Sequence, residues 1–198
     1  MKVAIVLNSP NPIKKVVEND VIYTDGGYKN RKYLKGKNTL ALVGDFDTLE
    51  KIPKGVNIVK LDRIKDFTDG EKAVRYAKEI GAESITIYGA TGGKTEHVLG
   101  NIALLKIAKN ICLPAKIFEG SSTVELLGEG RYEFKTEKDK KVSFIPYGGE
   151  CEFMFSFGLY YPLEGIKLTA ADTLGISNVA LSENFSVEIK SGEALIIY

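Results

Sequence analysis

Thr39-Leu40-Ala41-Leu42-Val43-Gly44-Asp45-Phe46-Asp47-Thr48 is the stretch on which the fold turns. Thr39 to Val43 is an apolar run of strand length, read as a buried strand, and it ends abruptly in a glycine and two carboxylates. Asp45 and Asp47 sit two apart, so persisting strand geometry would point both to one side. Gly44 lets the backbone turn tightly or be approached closely. Oxygen ligands of this kind suit a hard divalent ion such as Mg2+. An Asp-rich turn after a strand is the plainer account of the same residues, and the neighbouring segments decide between the two.

Outward from this stretch, the first half alternates strand and helix signals. Val3–Leu7 reads as a first strand, followed by the turn-formers Asn8-Ser9-Pro10-Asn11-Pro12. Ile13 to Val17 is expected to be a short helix. Val21-Ile22-Tyr23 runs into Asp25-Gly26-Gly27, another strand ending in a carboxylate and glycines. Lys29 to Lys37 is a basic, solvated face, and Val56 to Leu61 a further strand. Thr68-Asp69-Gly70-Glu71 fits a capping box, with Ala73, Val74, Ala77 and Ile80 on one helix face and Gly81 as the stop. Ile85–Tyr88 is a strand, Gly89–Lys94 a glycine-rich loop, His97–Ala108 a helix, and Lys116–Phe118 the last strand of this half. Such alternation implies a mostly parallel sheet with helices on both faces.

Beyond Glu119 the pattern changes. Short β-rich segments separated by turns follow: Tyr132–Phe134, Val142–Ile145, Cys151–Phe157, Ile166–Thr169, Phe185–Ile189 and Leu195–Tyr198. The expectation is an α/β domain over residues 1–125 and an all-β sandwich over 126–198.

The totals exclude several classes. With 198 residues, 44% hydrophobic and 27% charged, the chain is of ordinary globular composition. Its 27 basic and 26 acidic residues leave a net charge of +1, so no global field attracts nucleic acid or anionic lipid. No apolar run has the length of a membrane span, and the N-terminus reads as a strand rather than a signal peptide. Cys112 and Cys151 are far apart, lack metal-ligand spacing, and read as two buried thiols of a cytoplasmic protein.

In an open parallel sheet, ligands bind beyond the carboxyl ends of the strands. Four strand ends here carry carboxylates or glycines, namely those leading into Asp25-Gly26, Asp45/Asp47, Asp66/Asp69 and Gly89–Lys94. The carboxylates Asp25, Asp45, Asp47, Asp66 and Asp69 would repel one another without cations. The Gly92-Gly93 loop offers backbone N–H groups to phosphate, with Lys94 as a point charge. Lys72, one turn into the helix that Thr68 caps, is placed to reach the same phosphates, and the helix N-terminus favours anions. The spacing around Gly93-Lys94 is not that of a P-loop. His97, the sole histidine, acts as a base, contacts a substrate or fastens the loop. Together these groups indicate nucleotide-dependent phosphoryl or diphosphoryl transfer.

These motifs, in this order, resemble the thiamine pyrophosphokinase family. The matching residues are Asp25-Gly26-Gly27, Gly44–Thr48, Lys65–Asp69, Gly89–Asn101, Gly158–Leu163 and Gly175–Asn178. The resemblance implies transfer of a diphosphoryl group from ATP to thiamine, with AMP released, by a homodimer whose sites lie between subunits. It implies that Asp45, Asp47 and Asp69 hold Mg2+ and are catalytic, and that Asp25 and Asp66 complete the acidic cluster. Gly26, Thr68, Lys72, Gly92, Gly93, Lys94 and His97 would serve the nucleotide, and Ser177 and Asn178 would contact thiamine. Lys94 and Glu96 stand where the family usually has Arg and Asp, and Lys94 lacks the bidentate fork of arginine. A diphosphokinase for another alcohol, such as a hydroxymethylpterin, and a nucleotide- or thiamine-binding module without turnover are the alternatives.

Overall fold

The computed structural model describes residues 1–47, 53–62 and 66–198; Thr48 and Lys65, both within motifs quoted above, lie outside them. The chain divides into two compact units, Met1–Ser121 and Ser122–Tyr198. The division falls before the strand Ser122–Leu127, whereas the sequence reading placed a boundary after residue 125.

In the first unit six strands run side by side: β1 (Lys2–Val6), β2 (Asp20–Thr24), β3 (Asn38–Gly44), β4 (Ile58–Lys60), β5 (Ser84–Tyr88) and β6 (Ala115–Glu119). Their order is β6-β5-β1-β2-β3-β4, and every pairing is parallel. Val3, Ala4, Ile5, Val6, Val21, Ile22 and Tyr23 are fully buried. Burial on both faces is why these strands read as continuous apolar runs rather than alternating ones. From β1 the chain moves one way to β4, then returns to β5 on the other side of β1. That reversal is a topological switch point, and all six carboxyl ends lie along one edge.

The two α-helices among the described residues, α1 (Asp69–Glu79) and α2 (Thr95–Asn110), share one side of the sheet instead of lying on both faces. Gly70 permits this: a Cβ there would stand 3.0 Å from Leu104 Cδ1 of α2. The opposite face, with Ala4, Val6, Val21, Tyr23 and Leu42, is covered by Ile13, Val16, Tyr28 and Leu34. Those residues come from an irregular segment and from a 3-10 helix, Asp25–Lys32, and its exit. The short helix expected at Ile13–Val17 does not form. Pro10 and Pro12 fix φ and bring no N–H. The Ile13 N–H donates to Asn30 Oδ1 at 2.9 Å and the Val17 N–H to the Tyr88 hydroxyl at 3.1 Å, so distant side chains take the donors a helix would use. Cys112, expected to be buried, is exposed in the turn after α2, while Cys151 is buried as expected.

The second unit has eight strands: β7 (Ser122–Leu127), β8 (Gly130–Lys135), β9 (Lys141–Pro146), β10 (Cys151–Phe157), β11 (Lys167–Leu168), β12 (Asn178–Val179), β13 (Asn184–Ser191) and β14 (Ala194–Ile197). They form two antiparallel layers, β12-β9-β14-β7 and β11-β10-β13-β8. Leu127, Val142, Phe144 and Ile196 of one layer meet Phe134, Phe153, Phe185 and Val187 of the other. Phe134 stacks on Phe185 with ring centroids 4.7 Å apart, and Phe144 meets Phe153 edge-on at 5.6 Å. Phe157, Tyr160 and Tyr161 stay outside this packing: they are 66%, 60% and 58% exposed.

Candidate active site

The acidic rim is assembled by two turns. β3 stops at Gly44, so strand geometry does not carry Asp45 and Asp47 to one side. Phe46 turns the chain instead, with a left-handed φ of 64° that its buried ring holds in place. The Asp47 N–H donates to Asp45 Oδ1 at 3.3 Å, closing the turn. Asp25, 5% exposed, opens the 3-10 helix directly after the neighbouring strand β2. Two glycines allow that helix to sit so low. A Cβ on Gly26 would overlap the Asn8 side chain, and one on Gly27 would overlap the Val6 carbonyl oxygen.

The outcome is a group of three carboxylates, Asp25, Asp45 and Asp47, each offering an oxygen within 4.8 Å of the others. Asp69, the first residue of α1, faces the same place: a Cβ on Gly44 would lie 3.0 Å from Asp69 Oδ2 and 2.8 Å from Asp25 Cβ. Gly44 is thus the gap that lets Asp25 and Asp69 approach across the end of β3. α1 begins here because Thr68 caps it, its Oγ1 accepting from the Glu71 N–H at 3.1 Å. Only half of the expected capping box is used, since the Glu71 carboxylate pairs with Arg75 at 2.8 Å. Asp66 is exposed and outside the three-carboxylate group.

The glycine loop lies beyond β5. Gly89 has φ 78°, and a Cβ there would come within 2.9 Å of Ser9 Cβ. Gly92 has φ 81° beside Asn11. Asn101 of α2 pins the loop by donating from Nδ2 to the Ala90 carbonyl at 2.9 Å, and Thr91 N–H donates to Glu119 Oε1 at 3.1 Å. Gly92, Gly93, Lys94 and His97 are all exposed around the N-terminal turn of α2. Lys72 is not directed to this rim: its Nζ pairs with Glu79 at 3.1 Å, two turns further along α1.

One feature escaped the sequence reading altogether. A cavity of about 700 Å³ opens between the segment that follows β1 and the carboxyl ends of β5 and β6, lined among others by Asn11, Ile13, Lys14, Tyr88, Thr91 and Phe118. It lies at the carboxyl edge of the sheet, where open α/β sheets take their ligands. Asn8 to Pro12 read only as turn-formers, because nothing local says that β5 returns beside β1.

In the second unit, Ser177 and Asn178 part company. Ser177 is exposed with φ 62°, and its N–H donates to Ser143 Oγ at 3.0 Å. Asn178 is 2% exposed, and its carboxamide is engaged with the backbone of Tyr161.

The family model described as thiamin pyrophosphokinase, catalytic domain, matches residues 13–115, and that described as thiamin pyrophosphokinase, vitamin B1 binding domain, matches residues 131–196. The chain belongs to the thiamin pyrophosphokinase family. A thiamine pyrophosphokinase from Bacillus subtilis (strain 168) is 28% identical over 163 residues, 78% of this chain and 75% of that protein. The crystal structure of a thiamine pyrophosphokinase from Bacillus subtilis superposes with a TM-score of 0.84 at 24% identity, covering 100% of this chain and 98% of that one. One from Geobacillus thermodenitrificans gives 0.81 at 25% identity, with 100% and 96% coverage. The thiamin pyrophosphokinase from Candida albicans gives 0.76 at 17%, covering 99% and 88%, a likeness of fold. The α/β unit followed by a β-sandwich is therefore the architecture of the family.

Proposed function

We propose that this protein is a Mg2+-dependent thiamine pyrophosphokinase that transfers the diphosphoryl group of ATP to thiamine. The observation that carries the reading is the convergence of Asp25, Asp45 and Asp47 at the ends of adjacent parallel strands, in a chain of this family. Three carboxylates at this spacing form an all-oxygen donor set that fits a hard divalent cation. Asp25, Asp45 and Asp47 would hold it, and Asp69, which faces the same place, would complete the set. A cation bound there supplies positive charge against the phosphates as AMP departs.

The chain's own residues do the rest. The hydroxyethyl oxygen of thiamine attacks the β-phosphorus of ATP. The bond from that phosphorus to the bridging oxygen of the α-phosphate breaks, and AMP leaves with its electron pair. The hydroxyl proton passes to a carboxylate of the same rim. Backbone N–H groups of Gly92 and Gly93, together with Lys94, hold phosphate oxygens in place, and much of the acceleration is alignment of the two substrates. The nucleoside end of ATP enters the cavity at the ends of β5 and β6, where Ile13, Tyr88 and Phe118 give apolar walls and Lys14 a cation. From the middle of β5/β6 to the middle of β2/β3 is about three strand spacings, about 14 Å, comparable to the reach of an extended nucleoside triphosphate.

The acceptor side belongs to the second unit, with Ser177 as a direct contact and the exposed tyrosines as a flat wall for the aminopyrimidine. A homodimer brings two such surfaces together, and the exposed apolar residues of this unit support it.

The test is AMP formation from ATP with thiamine and Mg2+. It should require thiamine, stop with EDTA and return with added Mg2+. Asp47→Asn, at an exposed rim position, should remove activity while leaving the circular dichroism spectrum unchanged. Turnover that depends on a hydroxymethylpterin and ignores thiamine would sink the assignment, and full activity in Asp47→Asn would remove its metal role.

A further inference from the structure

We propose that Asn178 is a positioning residue whose carboxamide stands in for a peptide group and fixes the Tyr160–Tyr161 segment as the face that receives the acceptor. The proposal rests on the thiamine-kinase reading above, which supplies the acceptor.

The geometry is that of a β-ladder completed by a side chain. Leu159 bridges antiparallel to Ala180, and the Tyr160 N–H donates to the Val179 carbonyl at 2.8 Å. The next rung pairs Tyr161 with Asn178, and here the side chain makes it. The Tyr161 N–H donates to Asn178 Oδ1 at 3.0 Å, and Asn178 Nδ2 donates to the Tyr161 carbonyl at 2.7 Å. Oδ1 also accepts from the Val179 N–H at 2.8 Å. The Asn178 backbone meanwhile pairs with Val142 of β9, so one residue ties two segments together. Pro162 follows and carries no N–H with which to extend the ladder. The left-handed Ser177 and its bond to Ser143 set the turn from which Asn178 enters.

What this arrangement holds is a surface rather than a core. Tyr160 and Tyr161 are largely exposed, with rings edge to face and centroids 4.8 Å apart. Burying an amide to fix the backbone beneath two solvent-facing rings adds little to core packing. It pre-orders a binding face, which lowers the ordering cost at binding. Asparagine suits the position because both its donor and its acceptor are matched. Aspartate would keep the acceptor, lose the donor, and set a carboxylate against the Tyr161 carbonyl.

The experiment uses the full chain with Asn178→Asp and Asn178→Leu, measuring KM for thiamine, KM for ATP and kcat, and repeating the thiamine series with its 4′-oxo analogue. Leaving a buried backbone group unmatched should raise KM for thiamine by at least about tenfold, with KM for ATP unchanged. The analogue should lose by the same factor, because the amide acts through Tyr161 and does not read the ring. An unchanged KM for thiamine in a folded variant overturns the proposal, as does a parallel rise in both KM values. A loss that differs between thiamine and its analogue does so too, since it would mean direct contact. Hydrogen exchange on the wild-type chain is a second measurement, independent of whether the variants fold. The Tyr161 amide should exchange slowly, and exchange at the rate of an open loop overturns the staple. A wild-type chain that forms no AMP with thiamine would defeat the functional reading alone, with the exchange result still judging Asn178.

Discussion

At the scale of single residues, the acidic rim shows how little of a site depends on the acids alone. Asp25, Asp45 and Asp47 converge because Gly26 and Gly27 tolerate contact with β1 and the exit from it, Gly44 leaves a gap, and Phe46 accepts a left-handed conformation. The residue types were legible in the sequence, but the cause of their convergence was not. Alternation along a strand predicts that Asp45 and Asp47 share a side, and they meet instead through a turn. Tyr23 lies just before Asp25, fully buried, its hydroxyl without a hydrogen-bond partner among the described residues. Burial pushes its pKa up to about 12 from an ordinary 10. A phenol whose folded pKa is raised contributes stability that is intact below pH 10 and is lost as pH climbs toward 12. Tyr23→Phe removes that ionisation together with an unmatched buried hydroxyl. Urea midpoints at pH 7 should be equal to wild type or higher, by up to about 1 kcal/mol. Between pH 10 and 12 the variant should lose less stability than wild type. An equal alkaline loss in both proteins would put the titration elsewhere.

At the scale of elements, α1 is the clearest case of local grammar deciding structure. Thr68 caps it, the buried residues Ala73, Val74 and Ala77 line one face, and Gly81 ends it at φ 82°. Thr68→Ala should cost about 1 kcal/mol, which for a chain of this size is a fall in melting temperature of about 2–4 °C. Thermal denaturation checks it, and an unchanged midpoint would mean the cap is redundant. The segment Ile13–Val17 shows the limit of the same grammar. Its apolar residues suggest a helix, yet its N–H groups are claimed by Asn30 and Tyr88, partners that exist only after β2 and β5 are in place. β12 escaped notice for a related reason: two residues are too few for a periodic signal.

At the scale of the molecule, exposure in the second unit bears on assembly. Phe157, Leu174 and Ile176, apart from the tyrosine face, are each at least half exposed, more apolar surface than a lone sandwich needs to show. A second copy of the chain is the occupant that the proposed dimer implies. Sedimentation velocity should give a dimer for the wild-type chain, and Leu174→Glu with Ile176→Asp should shift it to monomer with loss of activity. A wild-type chain that sediments as a monomer at assay concentrations would rule the dimer out.

The sequence by itself determined the class of each half, the carboxylates and glycines at the strand ends, and, through the order of its motifs, the resemblance to the family. These follow from local pattern: continuous apolar runs for doubly covered strands, turn-formers between short β segments, and glycines beside carboxylates. Only the tertiary structure decided which strand ends are neighbours, that both α-helices share one side of the sheet, and that a cavity opens beside the ends of β5 and β6. It also turned Lys72 toward Glu79 and Asn178 toward Tyr161. The physical reason is common to all of them. A side chain's partner is set by the order in which distant segments pack, and that order is written in no local stretch of the chain.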